Sequence, residues 1–452
     1  IALQIQSNHI QMSYYFMFVI LFFVGAYFED AYKKKELPHF FKASGVLALA
    51  AVVGVCINIS NLYHTYEYSK ETMRGKSELK QEGAAASQTS SGLDRDYITN
   101  WSYGIGETLT LLVPNVKGGG SGSTMSQSEA AMAKANPMYN GIYSQLPQYF
   151  GEQPWTAGPV YVGAFVMFLF VLGCFIVKGP LKWALLGATI FSILLSWGKN
   201  FMGLTDFFID YVPMYNKFRA VSSILVIAEF TIPLLAIFAL KEILSKPDML
   251  KQEKNCRGVI AALVLTAGVA LILAVAPGTF FSSFITTQEM TALKQALPAE
   301  HLAPFVANLT EMREAIIASD AWRSFFIIVI GCLFLFLYQL RKLKASFTLA
   351  GVALLCLIDM WSVNKRYLND EQFVPKSKRS EAFVKTQADE IILQDTTPNY
   401  RVLNFIGFPG NTFNENNTAY WHKSVGGYHA AKLRRYQEMI DHHIVPEMKE
   451  TY

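Results

Sequence analysis

The sequence predicts an all-α polytopic membrane bundle with a mixed α+β exterior region at its C-terminal end. Eight apolar stretches of 17 to 21 residues run through the chain, 52% of its residues are hydrophobic and only 16% are charged. An α-helix needs about 20 apolar residues to cross the roughly 30 Å of hydrocarbon in a bilayer. We therefore predict about eight transmembrane helices, at 10–28, 43–62, 158–177, 181–197, 220–240, 258–276, 323–340 and 345–363.

The basic residues of the short loops predict the orientation. The loops after the first, third, fifth and seventh stretches carry most of them: Lys33, Lys34, Lys35, Lys42, Lys178, Lys182, Lys241, Lys246, Lys251, Lys254, Arg257, Arg341, Lys342 and Lys344. The opposite short loops carry only Lys199, Lys217, Arg219, Lys294 and Arg313. Because basic loops remain cytoplasmic, both ends of the chain and the long segments are predicted to lie outside the cytoplasm.

The chain then divides into four parts. Residues 1–62 hold the first two transmembrane helices, and 63–157 form an exterior loop with low-complexity stretches at 80–91 and 117–136, which are typical of flexible segments. An apolar run after Glu107 predicts an interfacial or re-entrant helix in that loop.

The third and fourth parts make up the rest of the chain. Residues 158–363 hold six more transmembrane helices with an exterior helical loop at 277–322. Residues 364–452 form a soluble exterior region, predicted to be incomplete, in which 401–405 is strand-like and 430–442 helical.

Composition narrows the classes of function. The net charge of +4 lies mostly in the predicted cytoplasmic loops, so it does not indicate nucleic acid binding. None of the five cysteines is placed for an exterior disulfide or spaced for a metal site. Phosphate-loop, dinucleotide and nucleophile-elbow motifs are not found, and no cofactor is predicted. The chain starts at Ile1 without a signal peptide, which predicts that it begins inside a longer protein or after processing.

Glu229 is the most conspicuous polar residue of the predicted spans, and we take it as a candidate catalytic residue. It lies about 15 Å into the fifth span at about 1.5 Å per residue. Pro233 follows four residues later and has no N–H to give to the Glu229 carbonyl. An ionisable residue at such a depth is a functional candidate. The alternative is a hydrogen-bonded glutamate that only tethers neighbouring helices.

The entry to the fifth span carries Asn216, Lys217 and Arg219. The two cations lie on the predicted exterior side, where basic residues are otherwise few. Free N–H groups at a helix start favour an anion, and an Arg fork fits a phosphate with two hydrogen bonds. This segment therefore predicts a site for a lipid phosphate. The alternative is that both cations simply extend to the lipid headgroups.

Other polar residues are candidates for exterior contacts. The residues predicted to contact a glycan or an anion are His9, Trp101, Glu107, His429, Lys432 and Arg435. His9 at the start of the first span is more often a plain interfacial histidine, and the segment around Lys432 can equally dock the exterior region onto the bundle. Asp94 and Asp96 form a D-x-D pair that can hold a divalent cation, although such pairs are common by chance.

Four strings in order along the chain carry a family resemblance. They are NHIQMSYY at 8–15, NWSYGIGETLTLLVPN at 100–115, YVPMYNKFRAVSSILVIAEFTIPL at 211–234 and WHKSVGGYHAAKLRRYQ at 421–437. Together they resemble YfhO-type bacterial integral membrane proteins over essentially the whole chain.

The resemblance implies a lipid-dependent glycosyltransferase of the GT-C architecture in the bacterial inner membrane. Such a protein is expected to transfer a sugar from a polyprenyl-phosphate carrier to a cell-envelope polymer, with membrane lipids, the carrier and the acceptor as its partners. Lys217 and Arg219 match the basic start of an exterior helix in that family. The family's catalytic carboxylate belongs to an upstream exterior loop that this sequence does not contain, so the catalytic base is not assigned.

Two alternatives to the transferase stay open. A lipid or solute transporter, or a flippase, is favoured by Glu229 with Pro233, because buried carboxylates and broken helices recur in transporters. A non-catalytic envelope assembly protein would use 63–157 and 364–452 as surfaces for partners.

Overall fold

The computed structural model describes residues 1–77, 92–246, 248–379, 381–408, 410–429 and 431–451. It is 69% helical. The chain divides into two compact units, a first unit of Ile1–Ile57 with Ile98–Tyr367 and a second unit of Asn58–Tyr97 with Leu368–Tyr452. The predicted exterior loop at 63–157 is therefore divided between the two units.

The prediction of an all-α membrane bundle is confirmed. Among the described residues, six helices are long and apolar enough to cross a membrane, which makes this a multi-pass membrane protein: Ile10–Lys34, Leu37–Cys56, Val221–Ser245, Glu253–Val275, Ala299–Gln339 and Ala345–Gln372. A seventh crossing results if Pro180–Ser196 and Gly198–Tyr211, bent by 108°, count as one broken span.

Eleven α-helices of the first unit are labelled here. They are α1 (Ile10–Lys34), α2 (Leu37–Cys56), α3 (Ala164–Ile176), α4 (Pro180–Ser196), α5 (Met202–Tyr211), α6 (Val226–Ser245), α7 (Glu253–Leu263), α8 (Val269–Val275), α9 (Thr287–Ala296), α10 (Ala299–Gln339) and α11 (Ala345–Tyr367). A π-helical segment, Val264–Gly268, joins α7 to α8, and the 3₁₀-helix Val221–Leu225 precedes α6. Shorter helices of this unit include Ala2–Gln6, Gly106–Leu111, Met125–Gln127, Glu129–Met132, Pro137–Tyr139, Asn140–Tyr143, Gly198–Phe201 and Tyr215–Lys217.

The count of about eight spans is too high because the stretch at 158–177 does not form a full-length helix. Its helix, α3, has 13 residues and is therefore about 20 Å long, shorter than the hydrocarbon layer. Gly163, at φ 99°, precedes the helix in a conformation that favours glycine. Helix α3 is instead a central element of the bundle.

Small residues let the neighbours of α3 approach it closely. A Cβ atom at Gly331 of α10 would lie 2.2 Å from the ring of Phe165, and one at Gly173 would lie 3.1 Å from Leu235 of α6. Helices in lipid associate by such close packing, since the hydrophobic effect does not drive one apolar helix against another there. The core of the first unit is therefore built around α3, α6 and α10.

The helical prediction for 277–322 is confirmed by α9 and the first half of α10. Helix α10 has 41 residues, about 60 Å, and so extends well beyond a bilayer. Its first half packs with segment 125–146 in a separate apolar cluster, in which Phe305 stacks on Tyr143 with 5.7 Å between ring centroids.

Segment 98–163 is packed into the first unit. The apolar run after Glu107 forms the 3₁₀-helix Gly106–Leu111 and is buried, rather than lying as an interfacial helix on a surface. Of the two predicted flexible stretches, 80–91 lies outside the described residues. The other, 117–136, is packed: a Cβ atom at Gly118 would lie 1.8 Å from the Gln148 carbonyl oxygen.

In the second unit the α+β prediction is wrong. No strand forms among its described residues; Val402 makes only an isolated bridge with Ser424. The Asn404 side chain accepts a hydrogen bond of 2.9 Å from the N–H of Ile406, a local turn that ends the extended segment. Helix at 430–442 is confirmed from Arg434 onward. The helices wholly within this unit are Ile59–Glu71, Asp370–Gln372, Lys376–Arg379, Glu381–Phe383, Gln387–Ile392, Thr418–Trp421, Arg434–Met439, Ile440–Ile444 and Val445–Thr451, and Arg95–Thr99 crosses the boundary between the units.

Candidate functional site

The loop that carries Arg219 is bounded by two residues in left-handed conformations. Met214 has φ 67° and Ala220 has φ 56°, and neither is a glycine. Such residues cost free energy and persist where the surrounding structure enforces them, often at functional sites. The 3₁₀-turn Tyr215–Lys217 lies between them and contains Asn216. The predicted phosphate segment is thus a constrained loop before a 3₁₀-helix, not the first turn of a regular α-helix.

Helix α1 holds this loop in place. The Gln11 side-chain amide donates to the Arg219 carbonyl oxygen at 2.7 Å and to the Tyr15 hydroxyl at 2.9 Å. Tyr14 donates to the carbonyl oxygen of Pro213 at 2.8 Å. His9, one of the predicted contacts, instead caps α1 by accepting from the N–H of Met12 at 3.4 Å. The end of the bundle at which α1 begins is called the Arg219 end below.

Trp101 and Arg219 are brought together, although they were predicted as separate contacts. The guanidinium carbon lies 5.8 Å from the centroid of the indole ring, within the range of a cation–π interaction. The carbonyl oxygen of Trp101 accepts from the N–H of Ser222 at 3.1 Å, and its ring N–H donates to the Trp155 carbonyl oxygen at 3.0 Å. Segment 101–111 thereby supports the Arg219 loop.

A line of hydrogen bonds continues from this loop to Glu107. The Ser222 hydroxyl donates to the Gln153 side chain at 3.0 Å, and the N–H of Gln153 donates to the Tyr149 hydroxyl at 3.0 Å. Tyr149 donates to Glu107 at 2.5 Å. Two of the candidate groups, Arg219 and Glu107, therefore belong to one connected structure.

Glu107 is only 1% exposed, so it cannot meet a ligand across an open surface as predicted. Its carboxylate also accepts from the N–H groups of Gly104, at 2.6 Å, and Glu152, at 3.2 Å. Burial raises the pKa of the Glu107 carboxyl, while these hydrogen bonds and the nearby charge of Lys117 oppose the rise. Burial, and next the Glu107 charge, also raise the pKa of Tyr149.

Two further cations flank the ring of Phe150. The Lys117 ammonium lies 5.2 Å from its centroid, and the Arg313 guanidinium lies 4.7 Å from it. Arg313 is fully buried and makes two hydrogen bonds, of 2.6 and 2.7 Å, with the carboxylate of Glu289. Burial lowers the pKa of Lys117. This arrangement was not predicted from the sequence, because its members come from three distant segments.

Glu229 lies in α6 with its side chain on an exposed side of the helix. Pro233 is inside the same helix, as expected from the sequence. Glu229 is close enough to Tyr103 for its charge to add to the rise in the Tyr103 pKa, which burial and Glu107 cause in larger part. The three side chains Glu229, Tyr103 and Glu107 therefore share the Arg219 end.

Asp359 is a buried residue for which the sequence predicted no role. It accepts hydrogen bonds from the Tyr161 hydroxyl at 2.8 and 2.9 Å and from the N–H of Ala164 at 3.0 Å, and it pairs with Arg323. This carboxylate thus fixes the start of α3 against α10 and α11. A lone aspartate near the end of an apolar run was the only signal that could have identified it.

The remaining predicted contacts lie in the second unit and have local partners. Lys432 donates to the Asn414 side chain at 3.4 Å, and Arg435 is 4.0 Å from Glu71. His429 accepts from the N–H of Ala431 at 3.1 Å. Because the helix starts at Arg434, Lys432 does not share a helical face with Arg435. This segment joins the two chain segments of the second unit.

The D-x-D pair forms a local turn. Asp94 accepts hydrogen bonds from the N–H groups of Asp96, at 2.9 Å, and Tyr97, at 3.4 Å. Within the described ranges, no group of three or more His, Cys, Asp or Glu side chains could hold a metal ion.

An apolar groove of about 610 Å³ runs between α1, α2 and Phe230 of α6. It extends along α1 from Phe16 to Ala31, about 22 Å at 1.5 Å per residue. Phe16 and Phe230, whose ring centroids are 6.0 Å apart, line its Arg219 end. Glu36 and His39 line its other end.

Comparison with protein-family models, curated proteins and solved structures gives no match to this chain.

The arrangement is suited to an amphiphilic ligand. A planar guanidinium lies at the Arg219 end, and the groove begins at Phe16, five residues after Gln11, which holds the Arg219 loop. Arginine binds phosphate with two parallel hydrogen bonds, and an apolar groove in lipid accepts hydrocarbon.

Proposed function

We propose that this protein is a membrane-embedded, GT-C-like glycosyltransferase of the YfhO type. It would transfer a sugar from a polyprenyl-phosphate carrier to a cell-envelope acceptor. The observation that carries the proposal is the position of Arg219: its guanidinium lies over Trp101, and Gln11 of α1, five residues before the end of the groove at Phe16, holds its carbonyl oxygen. The carrier phosphate would bind Arg219, with Asn216 and Lys217 in the same loop, and the prenyl chain would occupy the groove.

The proposed site faces the exterior of the bacterial inner membrane, and both ends of the chain lie on that side. The basic loops support this orientation. Arg341 pairs with Asp248 at 2.9 Å, and Tyr338 donates to the Leu244 carbonyl oxygen at 2.8 Å, so two of the predicted cytoplasmic loops meet at one end of the bundle. Positive loops of this kind remain in the cytoplasm.

The reaction is a direct displacement at the anomeric carbon. A bond forms from the acceptor oxygen to that carbon while its bond to the phosphate oxygen breaks, and the electron pair leaves with the phosphate. Arg219 and Lys217 stabilise the departing charge. A carboxylate takes the proton of the acceptor hydroxyl, and Glu229 is the candidate for that role because it lies in the first turn of α6, at the Arg219 end, with an exposed side chain.

The first test is native mass spectrometry of the protein with polyprenyl phosphate. Wild type is expected to bind one carrier, and Arg219→Ala to lose it. Arg257→Ala is the matched control, because Arg257 is an exposed arginine that pairs with Glu253 on the same helix. Binding that is absent, or that is equal in all three proteins, overturns the phosphate site.

A lipid transporter or flippase is the second candidate, and one observation favours it. Pro180–Ser196 and Gly198–Tyr211 form a span broken by 108°, and broken helices recur at transporter sites. Glu229 and Pro233 on α6 add an ionisable group and a free carbonyl acceptor within a span. Movement of the lipid that depends on a proton gradient, without sugar transfer, would favour this function.

A further inference from the structure

Glu107 has one hydrogen-bonding position left. An ionised carboxylate has about four acceptor positions on its two oxygens. Oε2 accepts from the N–H groups of Gly104 and Glu152, and Oε1 accepts from Tyr149. Among the described residues, no second donor reaches Oε1. A buried carboxylate with three donors thus retains a fourth position for something else.

Lys117 has unused hydrogen-bond donors, whereas Glu107 has an unused acceptor position. Its ammonium has three N–H donors, yet within the described part of the chain it makes no hydrogen bond or ion pair. Its contacts are the faces of Phe281, at 4.3 Å, and Phe150, at 5.2 Å. Ring faces attract the charge but do not replace hydrogen-bond acceptors, so the ammonium has donors left for the oxygen of a ligand.

One small cavity is lined by both side chains. It has a volume of about 10 Å³, about the space that one water molecule needs. Gln153 and Thr156, both half-buried, also line it. A Cβ atom at Gly151 would lie 2.1 Å from Oε1 of Glu107. Glycine at this position therefore allows the backbone to approach the Glu107 carboxylate closely.

We propose that Glu107 and Lys117 bind one hydroxyl oxygen between them. The hydroxyl donates its proton to Oε1 of Glu107 and accepts a hydrogen bond from the Lys117 ammonium. A phosphate or carboxylate is repelled by the charge of Glu107, so the ligand is a neutral hydroxyl, and only its O–H group enters the cavity. It belongs either to a water molecule or to a sugar; the sugar source rests on the proposed glycosyl transfer.

The position of the pair suits a sugar. Glu107 is joined through Tyr149, Gln153 and Ser222 to the loop of Arg219. The hydroxyl site and the proposed phosphate site are thus parts of one hydrogen-bonded structure, while each has its own charged residues.

Crystal structures of the full chain with and without methyl glucoside test the proposal. Density between Nζ of Lys117 and Oε1 of Glu107 is expected. Isolated single-atom density in both crystals identifies water, and density that is continuous with a sugar ring in the glucoside crystal identifies a sugar hydroxyl; either result supports the site. An empty cavity, or a direct ion pair between Lys117 and Glu107, overturns it.

A variant gives a second measurement. Lys117→Met keeps a long side chain but removes the donors, so the density is expected to disappear, and glucoside affinity, where it exists, to fall roughly tenfold or more. Lys294→Met is the matched control at an exposed lysine of α9. Retention of the density in Lys117→Met overturns the proposal. Because Arg219→Ala should leave this density unchanged, the hydroxyl site and the carrier site can fail independently.

Discussion

Asp320 and Arg366 are joined by two parallel hydrogen bonds, of 2.6 and 2.7 Å, which tie α10 to α11. Oδ2 of the same carboxylate accepts from the N–H of Asn115 at 3.1 Å. Because Asp320 is almost completely buried, this one carboxylate fixes two helices and segment 98–163 to one another. This buried carboxylate thus joins segments that are far apart in the sequence.

Asp320→Asn is expected to destabilise the first unit by about 3 kcal/mol, because it leaves the Arg366 guanidinium without its charged partner in a half-buried place. Unfolding in detergent, followed by circular dichroism, measures the loss. Asp248→Asn is the control, since Asp248 also pairs with two cations but is exposed, and it should change stability little. Equal losses in the two variants would contradict a structural role that depends on burial.

Gly118→Ala is expected to destabilise the protein by about 2 kcal/mol, because Gly118 combines a left-handed conformation with a contact that leaves no room for Cβ. A Cβ atom there would lie 1.8 Å from the Gln148 carbonyl oxygen, whereas one at Gly122 would meet nothing within 4 Å. Gly122→Ala is therefore the matched control, and it should be neutral. If 117–136 behaves as a flexible linker, thermal unfolding will not distinguish the two variants.

The glycines of this segment show where sequence analysis reaches its limit. The apolar stretches predicted the helices, because the length and composition that a bilayer requires are local properties of the chain. The same local composition made 117–136 look flexible, although Gly118 is needed for a close contact. The strand predicted at 401–405 does not form for a related reason. Val402 makes a single isolated bridge, and a turn at Asn404 ends the extended segment.

For the candidate site, the sequence identified the basic loop and Trp101 but not their proximity. The cation–π contact of Arg219 and the hydrogen bond from Gln11 join segments more than 100 residues apart. Glu107 was expected at a surface, because a glutamate beside an apolar run gives no indication of the three donors that allow it to be buried. Lys117 was not predicted at all, since its aromatic neighbours come from other segments.

The contact between Arg219 and Trp101 predicts that the planar shape of the guanidinium, as well as its charge, contributes to polyprenyl-phosphate binding. Arg219→Lys keeps the charge but loses the planar guanidinium that stacks on a ring and binds a phosphate with two hydrogen bonds. We expect it to weaken polyprenyl-phosphate binding by roughly 5- to 20-fold, with a smaller loss than in Arg219→Ala. Trp101→Leu should reduce affinity severalfold. Titration by mass spectrometry in nanodiscs measures both, and wild-type affinity for Arg219→Lys would mean that only charge is used.

The pair of Asp389 and His422 predicts a pH dependence in the second unit. Hydrogen bonds, first from Thr386 and then from His422 at 2.8 Å, lower the pKa of the Asp389 carboxyl to about 2, against about 3.9 in an unfolded chain. Because the folded-state pKa is the lower one, the stabilisation is complete above about pH 4 and is lost as the pH falls towards 2.

Asp389→Asn should therefore reduce hydrogen-exchange protection of helix Gln387–Ile392 at pH 6, and the difference from wild type should shrink below pH 3. Exchange followed by mass spectrometry on the intact chain resolves this helix. A difference that stays constant from pH 6 to pH 2.5 would show that the charge of Asp389 does not contribute.

Glu229→Gln separates transfer from transport. If Glu229 takes the acceptor proton, the amide cannot do so, and sugar transfer should fall by roughly 10²- to 10⁴-fold. Polyprenyl-phosphate binding should change little, because the phosphate site is on the Arg219 loop. Glu242→Gln is the matched control: Glu242 lies on the same helix, α6, but pairs with Lys246 at the opposite end of the span. Reconstituted vesicles permit both transfer from a lipid-linked sugar and lipid movement to be followed in one preparation. Normal sugar transfer by Glu229→Gln would show that Glu229 is not the base. Loss of proton-driven lipid movement in the same variant would assign Glu229 to transport. The reason is that the substitution removes one ionisable group and leaves the groove unchanged.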